Sequence, residues 1–215
     1  MSDPLLEAIQ KNRIIAILRN LEYKYLEQTV KALKDGGIRM LEIAFDQNSP
    51  TRVQDTVKAI ETARGCGGED MLVGAGTVLS LREVEAAADA GASFILAPNT
   101  DGDVIRAARE RGLGAVPGAM TPTEIAYAFR CGASVVKLFP SDNLGPEYVR
   151  AVRAPLGHIP LLAVGGVNRG NIRDFMSAGA IGVGIGSNII DKKRVAAGEF
   201  QEISNLARSY LAALA

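Results

Sequence analysis

Short apolar runs rich in Val, Ile and Leu alternate along this chain with longer stretches in which apolar residues recur at helical spacing. The runs predict eight strands: IIAIL (14–18), MLEIA (40–44), LVGAG (72–76), SFILA (93–97), GAVP (114–117), SVVKL (134–138), LLAV (161–164) and GVGIG (182–186). Each is followed by a segment that reads as a helix. SLRE from Ser80 and TPTE from Thr121 fit capping boxes, the second with Pro122 at the first helical position. A weak repeat marks the helix ends. A glycine followed by a small or apolar residue precedes the next strand at Gly37, Gly91, Gly112, Gly132 and Gly179.

Eight strand and helix units, with no long Pro/Gly/Ser linker and no compositional break, predict an α/β protein: a single (β/α)8 barrel over residues 1–215. An open parallel sheet built from the same strands is the alternative, because periodicity reports strand number more directly than closure. At 47% apolar residues the chain can bury the core such a barrel needs.

Charge narrows the partners. Twenty-four basic and twenty-four acidic residues cancel, and no block of like charge occurs. The basic footprint of nucleic-acid binding is missing, as is a polybasic membrane contact, so a small molecule is the expected partner. The segment MSDPLLEAIQKNR has no apolar signal region, and no apolar run is long enough to span a bilayer, so a cytoplasmic protein is expected. Two distant cysteines and one histidine give no zinc set. Cys131 reads as a small core residue, Cys66 in RGCGGED as an exposed loop residue, and His158 as part of a turn before a strand.

In a barrel of this kind, chemistry gathers at the C-terminal ends of the strands. Lys137 interrupts the apolar run SVVKLF near such an end. Desolvation lowers the pKa of a lysine and makes its amine nucleophilic, which Schiff-base chemistry requires. Glu42 in MLEIAF occupies the comparable position of the second predicted strand. The second and sixth strands are both even-numbered, so both residues can enter one interior layer. A purely structural ion pair is the competing reading.

Gly165 and Gly166 follow the seventh predicted strand, with Asn168 as the expected helix N-cap. Gly184, Gly186 and Ser187 lie at the end of the eighth. Clustered backbone N–H groups there suit a phosphate, although tight turns alone would also use these glycines. Arg19 and Thr77 stand at the ends of the first and third strands, where a guanidinium and a hydroxyl can hold a carboxylate. Their bland counterparts are a surface charge and a helix cap.

The motifs IIAILR, LEIAF, GAGTVL, LAPNT, VPGAMTPTE, VKLFPSDNLGP, AVGGV and GIGSN, in this order, resemble the 2-keto-3-deoxy-phosphogluconate aldolase family from about Arg13 to Ser187. These are small Schiff-base aldolases of sugar-acid breakdown. The resemblance implies that Lys137 is the Schiff-base lysine and Glu42 the general acid/base. It places Thr77 at the pyruvate carboxylate, Gly165, Gly166, Gly186 and Ser187 at the phosphate, and Pro98 and Phe139 around the pyruvate pocket. It further implies a homotrimer and a reaction needing no metal or organic cofactor.

One departure stands out. LEIAFDQNSP carries Asp46 where the phosphogluconate enzymes usually have an arginine. The phosphogalactonate branch is more similar, in IAILR, NSP, PN, LGPEY and AVGGV. In that branch the arginine of the first strand, here Arg19, serves the carboxylate. Val164 also matches it, where the phosphogluconate branch tends to have a threonine. The two substrates are epimers at the C4 hydroxyl, and an apolar side chain replacing a hydrogen-bonding one is a plausible discriminator. The FDQ segment is longer than the branch pattern. Expected substrates are thus a 2-keto-3-deoxy-6-phospho sugar acid and pyruvate. The rivals are a phosphate-binding isomerase or epimerase with Glu42 as base, and a non-catalytic sugar-phosphate binding protein.

Overall fold

A computed structural model describes residues 3–214 of the chain. Among these are nine strand segments: β1 (Ile14–Leu18), β2 (Met40–Ala44), β3 (Leu72–Gly76), β4 (Phe94–Leu96), β5 (Gly114–Val116), β6 (Gly118–Ala119), β7 (Val136–Leu138), β8 (Leu161–Val164) and β9 (Gly182–Ile185). All ladders are parallel, in the order β5-β4-β3-β2-β1-β9-β8-β7-β6.

The two ends of that order are halves of one strand. Pro117 has no N–H for a ladder and separates β5 from β6. β5 pairs with β4, while β6 pairs with β7. The seam continues on both sides of Pro117, because Ser134 N–H donates to the Ala115 carbonyl (2.8 Å) and Lys137 N–H to that of Pro117 (2.9 Å). The sheet therefore closes as an eight-stranded (β/α)8 barrel, and the open-sheet alternative falls.

Alternate residues of each strand face the lumen. Ile15, Met40, Phe94, Leu96, Val116, Val135, Leu162 and Val164 form the inner cluster. Their neighbours in sequence, such as Ile14, Leu41, Ile95, Val136 and Ala163, pack outward against the helices. Glycines make room for the larger lumen residues, since a side-chain carbon at Gly74 would meet the Phe94 ring. Burying a side chain such as Phe94 contributes about 1.5–3 kcal/mol.

A helix that the strand pattern did not predict, α1 (Pro4–Asn12), precedes the barrel. The Asp3 carboxylate accepts the Leu5 and Leu6 N–H groups at 2.9 and 3.3 Å, and Pro4 suits the first helical position. Leu5 and Ile9 join the inner cluster, filling space left by Gly114 and Gly182. The barrel end away from the strand C-termini is thereby plugged.

The outer helices are α2 (Leu26–Asp35), α3 (Arg52–Gly67), α4 (Leu81–Asp89), α5 (Gly102–Glu110), α6 (Pro122–Arg130), α7 (Gly145–Arg153), α8 (Ile172–Ser177), α9 (Lys192–Ala196) and α10 (Phe200–Ala212). The glycine repeat has one physical meaning. Gly37, Gly91, Gly112, Gly132 and Gly179 all take positive φ, and the following residue donates back to a carbonyl five positions earlier. This is the Schellman end of α2, α4, α5, α6 and α8.

Several local expectations are corrected. The Thr121–Glu124 box is complete, but at Ser80 only half forms: Ser80 accepts the Glu83 N–H, while the Glu83 carboxylate turns to the Leu79 N–H. Asn168 is not an N-cap. Its side chain accepts the Gly170 N–H in a turn, and α8 starts at Ile172 after Asn171. Cys66 is no loop residue but lies half-buried in the last turn of α3, which runs through Gly65 and Gly67 and stops at Gly68 with φ 67. Cys131 is only half-buried, because it caps α6 at the surface end of that helix. His158 does sit in a turn, edge-on to Phe129.

Candidate active site

Lys137 lies in the middle of β7, between Gly118 and Leu162 on the neighbouring strands. The alternation that sends Val136 and Leu138 to the helices sends Val135, Lys137 and Phe139 inward. The lysine is 3% exposed, and its Nζ stands 4.5 Å from the centre of the Phe139 ring. Desolvation pushes its pKa below the ordinary lysine value; the Glu42 charge opposes that shift and the Arg19 charge adds to it.

Glu42, in the middle of β2, is 1% exposed, and its Oε2 has no hydrogen-bond partner in the protein. An unsatisfied buried carboxyl oxygen is costly and marks a position kept for something other than stability. Burial pushes the Glu42 pKa up, while the charges of Lys137 and Arg19 pull it down. The side chain fits because Gly76, at the end of the adjoining β3, has no Cβ: one added there would run into the Glu42 carboxyl.

A cavity of about 210 Å³ opens at this end of the barrel. Arg19, Lys137, Phe139, Val164, Gly165, Gly166, Gly186 and Ser187 line it. The structure thus brings these predicted residues together, from the ends of β1, β7, β8 and β9. Glu42, Thr77 and Pro98 do not line it. Glu42 reaches the cavity through its field on Lys137, and Thr77 through Arg19, whose Nη2 donates to Thr77 Oγ1 at 3.2 Å. Pro98 turns its carbonyl toward Gly118, where a side-chain carbon would collide with it. Larger hollows of about 420 and 700 Å³ lie elsewhere, and Lys137 lines neither.

The glycine loops are tied to the lysine strand. Gly165 and Gly166 have φ of 97 and 68, open only to glycine at low cost. Gly166 also leaves room for Asp142, which a Cβ would meet. Buried Ser141 donates to the Leu138 carbonyl (2.7 Å) and accepts the Val164 N–H (2.9 Å), joining the end of β7 to that of β8. Asn188 donates to the Val167 carbonyl at 2.9 Å and joins the β9 loop to the same structure. Residue-by-residue reading had missed Ser141, Asn188 and Gly76. The signals were present, in FPSDN, GSN and the second glycine of GAG, but each acts through a distant partner.

Comparison with known proteins identifies relatives of the chain. Over 190 residues the chain is 40% identical to a probable 2-dehydro-3-deoxy-6-phosphogalactonate aldolase of Rhizobium meliloti (strain 1021), covering 88% of this chain and 86% of that protein. Over 177 residues it is 38% identical to the 2-dehydro-3-deoxy-6-phosphogalactonate aldolase of Escherichia coli (strain K12), covering 82% and 83%. A solved structure described as native KDPGal superposes with a TM-score of 0.82 at 35% identity, over 93% of each chain. The family model for KDPG and KHG aldolases matches residues 5–206. A closed barrel, the family match over residues 5–206 and this extent of identity together mean that the chain belongs to the KDPG and KHG aldolase family.

Proposed function

We propose that this protein is a class I aldolase that cleaves a 2-keto-3-deoxy-6-phospho sugar acid, with the galactonate series favoured, to pyruvate and glyceraldehyde 3-phosphate. The observation that carries the reading is desolvated Lys137 lining the cavity, with the orphaned Glu42 carboxyl near enough for the charge of each to shift the pKa of the other. Burial disfavours charge on both, lowering the Lys137 pKa and raising that of Glu42, so the neutral amine and protonated carboxyl that the reaction needs are reached at less cost than in water.

That state starts the reaction. The Nζ lone pair attacks the C2 carbonyl, and Glu42 gives its proton to the departing hydroxyl, so water leaves and a protonated imine forms. The new positive charge favours the Glu42 carboxylate, which then accepts the proton of the C4 hydroxyl, directly or through a water. The C3–C4 bond breaks, its electron pair entering the enamine, and the aldehyde departs. Protonation at C3 and hydrolysis release pyruvate and restore Lys137. Arg19 with Thr77 holds the substrate carboxylate, Phe139 and Pro98 shape the pyruvate end, and Gly165, Gly166, Gly186 and Ser187 take the phosphate. Val164, 3% exposed and lining the cavity, offers a substrate hydroxyl no hydrogen bond, and the preference for the galactonate epimer rests on that apolar side chain.

Borohydride reduction in the presence of pyruvate tests the chemistry. Peptide mapping by mass spectrometry is expected to place a reduced pyruvyl adduct on Lys137. An unmodified lysine would instead support the isomerase or binding-protein reading.

The reading extends to a cytoplasmic homotrimer. Among the described residues no helix is long and apolar enough to cross a membrane. Leu79, Leu81, Met120 and Tyr127 leave between 40% and 51% of their surface exposed and are the apolar side chains available to a subunit contact. Light scattering is expected to give three times the 22.7 kDa chain mass. A 22.7 kDa species at micromolar concentration would contradict the trimer.

A further inference from the structure

Thr77 is a β-branched residue in the left-handed region, with φ 55. Such a conformation persists only where its surroundings over-determine it, and it often marks a functional constraint. Two contacts do so here. Arg19 donates to the Thr77 hydroxyl at 3.2 Å, and Gln47 Nε2 donates to the Thr77 carbonyl at 2.9 Å.

Gln47 belongs to the FDQ segment after β2. The same nitrogen also donates to Glu83 Oε1 at 2.9 Å. Glu83 is 1% exposed and anchored from three elements: its Oε1 also accepts Arg52 Nε of α3 at 3.1 Å, and its Oε2 accepts the Leu79 N–H at 2.7 Å. Burial alone would raise its pKa, but the donors from Leu79, Gln47, Arg52 and Ser80 hold it below the usual carboxylate range. A fixed anion thus orients the Gln47 amide. A terminal amide has two hydrogens on one nitrogen, so it can serve both acceptors, whereas a carboxylate at position 47 would oppose both.

We propose that Gln47 is a positioning residue for the carboxylate end of the site: pinned by Glu83, it holds the Thr77 turn so that the Thr77 hydroxyl meets Arg19. The inference rests on the reading of Arg19 and Thr77 as the carboxylate holders. It gives the FDQ segment a task, since the Gln47 donor fixes the Thr77 turn whose hydroxyl Arg19 contacts.

The test uses the full chain as wild type, Gln47→Met, Thr77→Ala and the double variant. Two quantities are read: the pyruvate concentration that half-saturates borohydride trapping on Lys137, and the inhibition constant of inorganic phosphate against cleavage. Gln47→Met keeps the length and loses the donors, and is expected to raise half-saturating pyruvate about tenfold, the scale of one lost hydrogen bond. Phosphate inhibition should stay within about twofold, since that end is untouched. In the Thr77→Ala background the Gln47 change should add less than about twofold, because a residue acting through Thr77 has nothing left to act on.

A general structural weakening would move both quantities together and overturn the inference, as would an equal Gln47 effect with Thr77 absent. If Thr77→Ala weakens pyruvate capture and Gln47→Met does not, the inference fails while the carboxylate reading stands. If Thr77→Ala captures pyruvate as the wild type does, that reading fails and takes the inference with it.

Discussion

Replacing Lys137 by methionine is expected to abolish turnover and at the same time raise the melting temperature. The first effect follows from removing the nucleophile: without Nζ no imine forms, and loss of a covalent catalyst costs on the order of 10⁴-fold or more. The second follows from burial. At 3% exposure the ammonium form of Lys137 is penalised in the folded state only, so the folded pKa lies below the unfolded value of 10.5. A depressed lysine pKa means that the unfolded chain binds the proton more tightly. The destabilisation is therefore full below the folded pKa and fades as pH rises toward 10.5. Methionine fills a similar volume without a charge. The gain is the desolvation penalty of the ammonium, provided that Glu42 is not left charged.

The substitution moves Glu42 further toward its neutral form. Removing the lysine removes a positive charge that pulled its pKa down, so the buried carboxyl stays protonated to higher pH. The checks are steady-state cleavage and thermal melts across pH 6 to 10. Wild-type turnover would refute the Schiff-base role. A lower melting temperature at neutral pH would mean that the lysine is a structural tie, because only a functional residue is retained against stability.

The second large effect is expected at a residue without a side chain. Gly76→Ala should cut cleavage by about 10²–10⁴-fold, the usual scale of a general acid/base, and slow the capture of pyruvate on Lys137 as well, since the same carboxyl gives the proton that completes imine formation. Gly76 does not occupy the left-handed region, so alanine meets no backbone penalty there. Its methyl group would instead occupy the space of the Glu42 carboxyl. One of the two must move, and the carboxyl sits at the end of a flexible side chain. The overpacking itself costs about 1–3 kcal/mol. Cleavage and trapping measured on one preparation separate the outcomes. Normal cleavage would show that the carboxyl position seen here is not the one used in catalysis, and trapping at the wild-type rate would show the same for its part in imine formation.

The strands of the barrel were legible because burial leaves a local record. β1, β2, β3 and β8 have the predicted bounds. β4 and β7 begin later than expected, since Ser93 and Ser134 enter the ladder only through their first hydrogen bonds. Lys137 was conspicuous for the same reason: a charged residue inside an apolar run contradicts its surroundings unless function retains it. The helix ends were equally readable, because a Schellman turn requires a glycine at one position and little else.

The Ser80 box shows where that legibility stops. The sequence SLRE satisfies the motif, yet Glu83 is drawn away by Gln47 and Arg52, residues more than thirty positions earlier in the chain. Helix α1 was missed because its two lumen residues, Leu5 and Ile9, are meaningful only against Gly114 and Gly182 at other points of the barrel. The Gln47 contact to Thr77 is of the same kind.

The sequence by itself determined what neighbouring residues decide together: the repeating strand and helix units, their glycine stops, and a lysine and a glutamate in strands of matching parity. The tertiary structure alone decided that Pro117 divides one strand whose halves close the barrel, that Gly76 vacates the space Glu42 fills, and that Glu83 and Gln47 set the turn at Thr77. The physical reason is the range of the interactions. Periodicity and capping act over a few residues and leave a pattern along the chain, whereas closure, cavity space and buried hydrogen bonds join residues that only the closed sheet brings within reach.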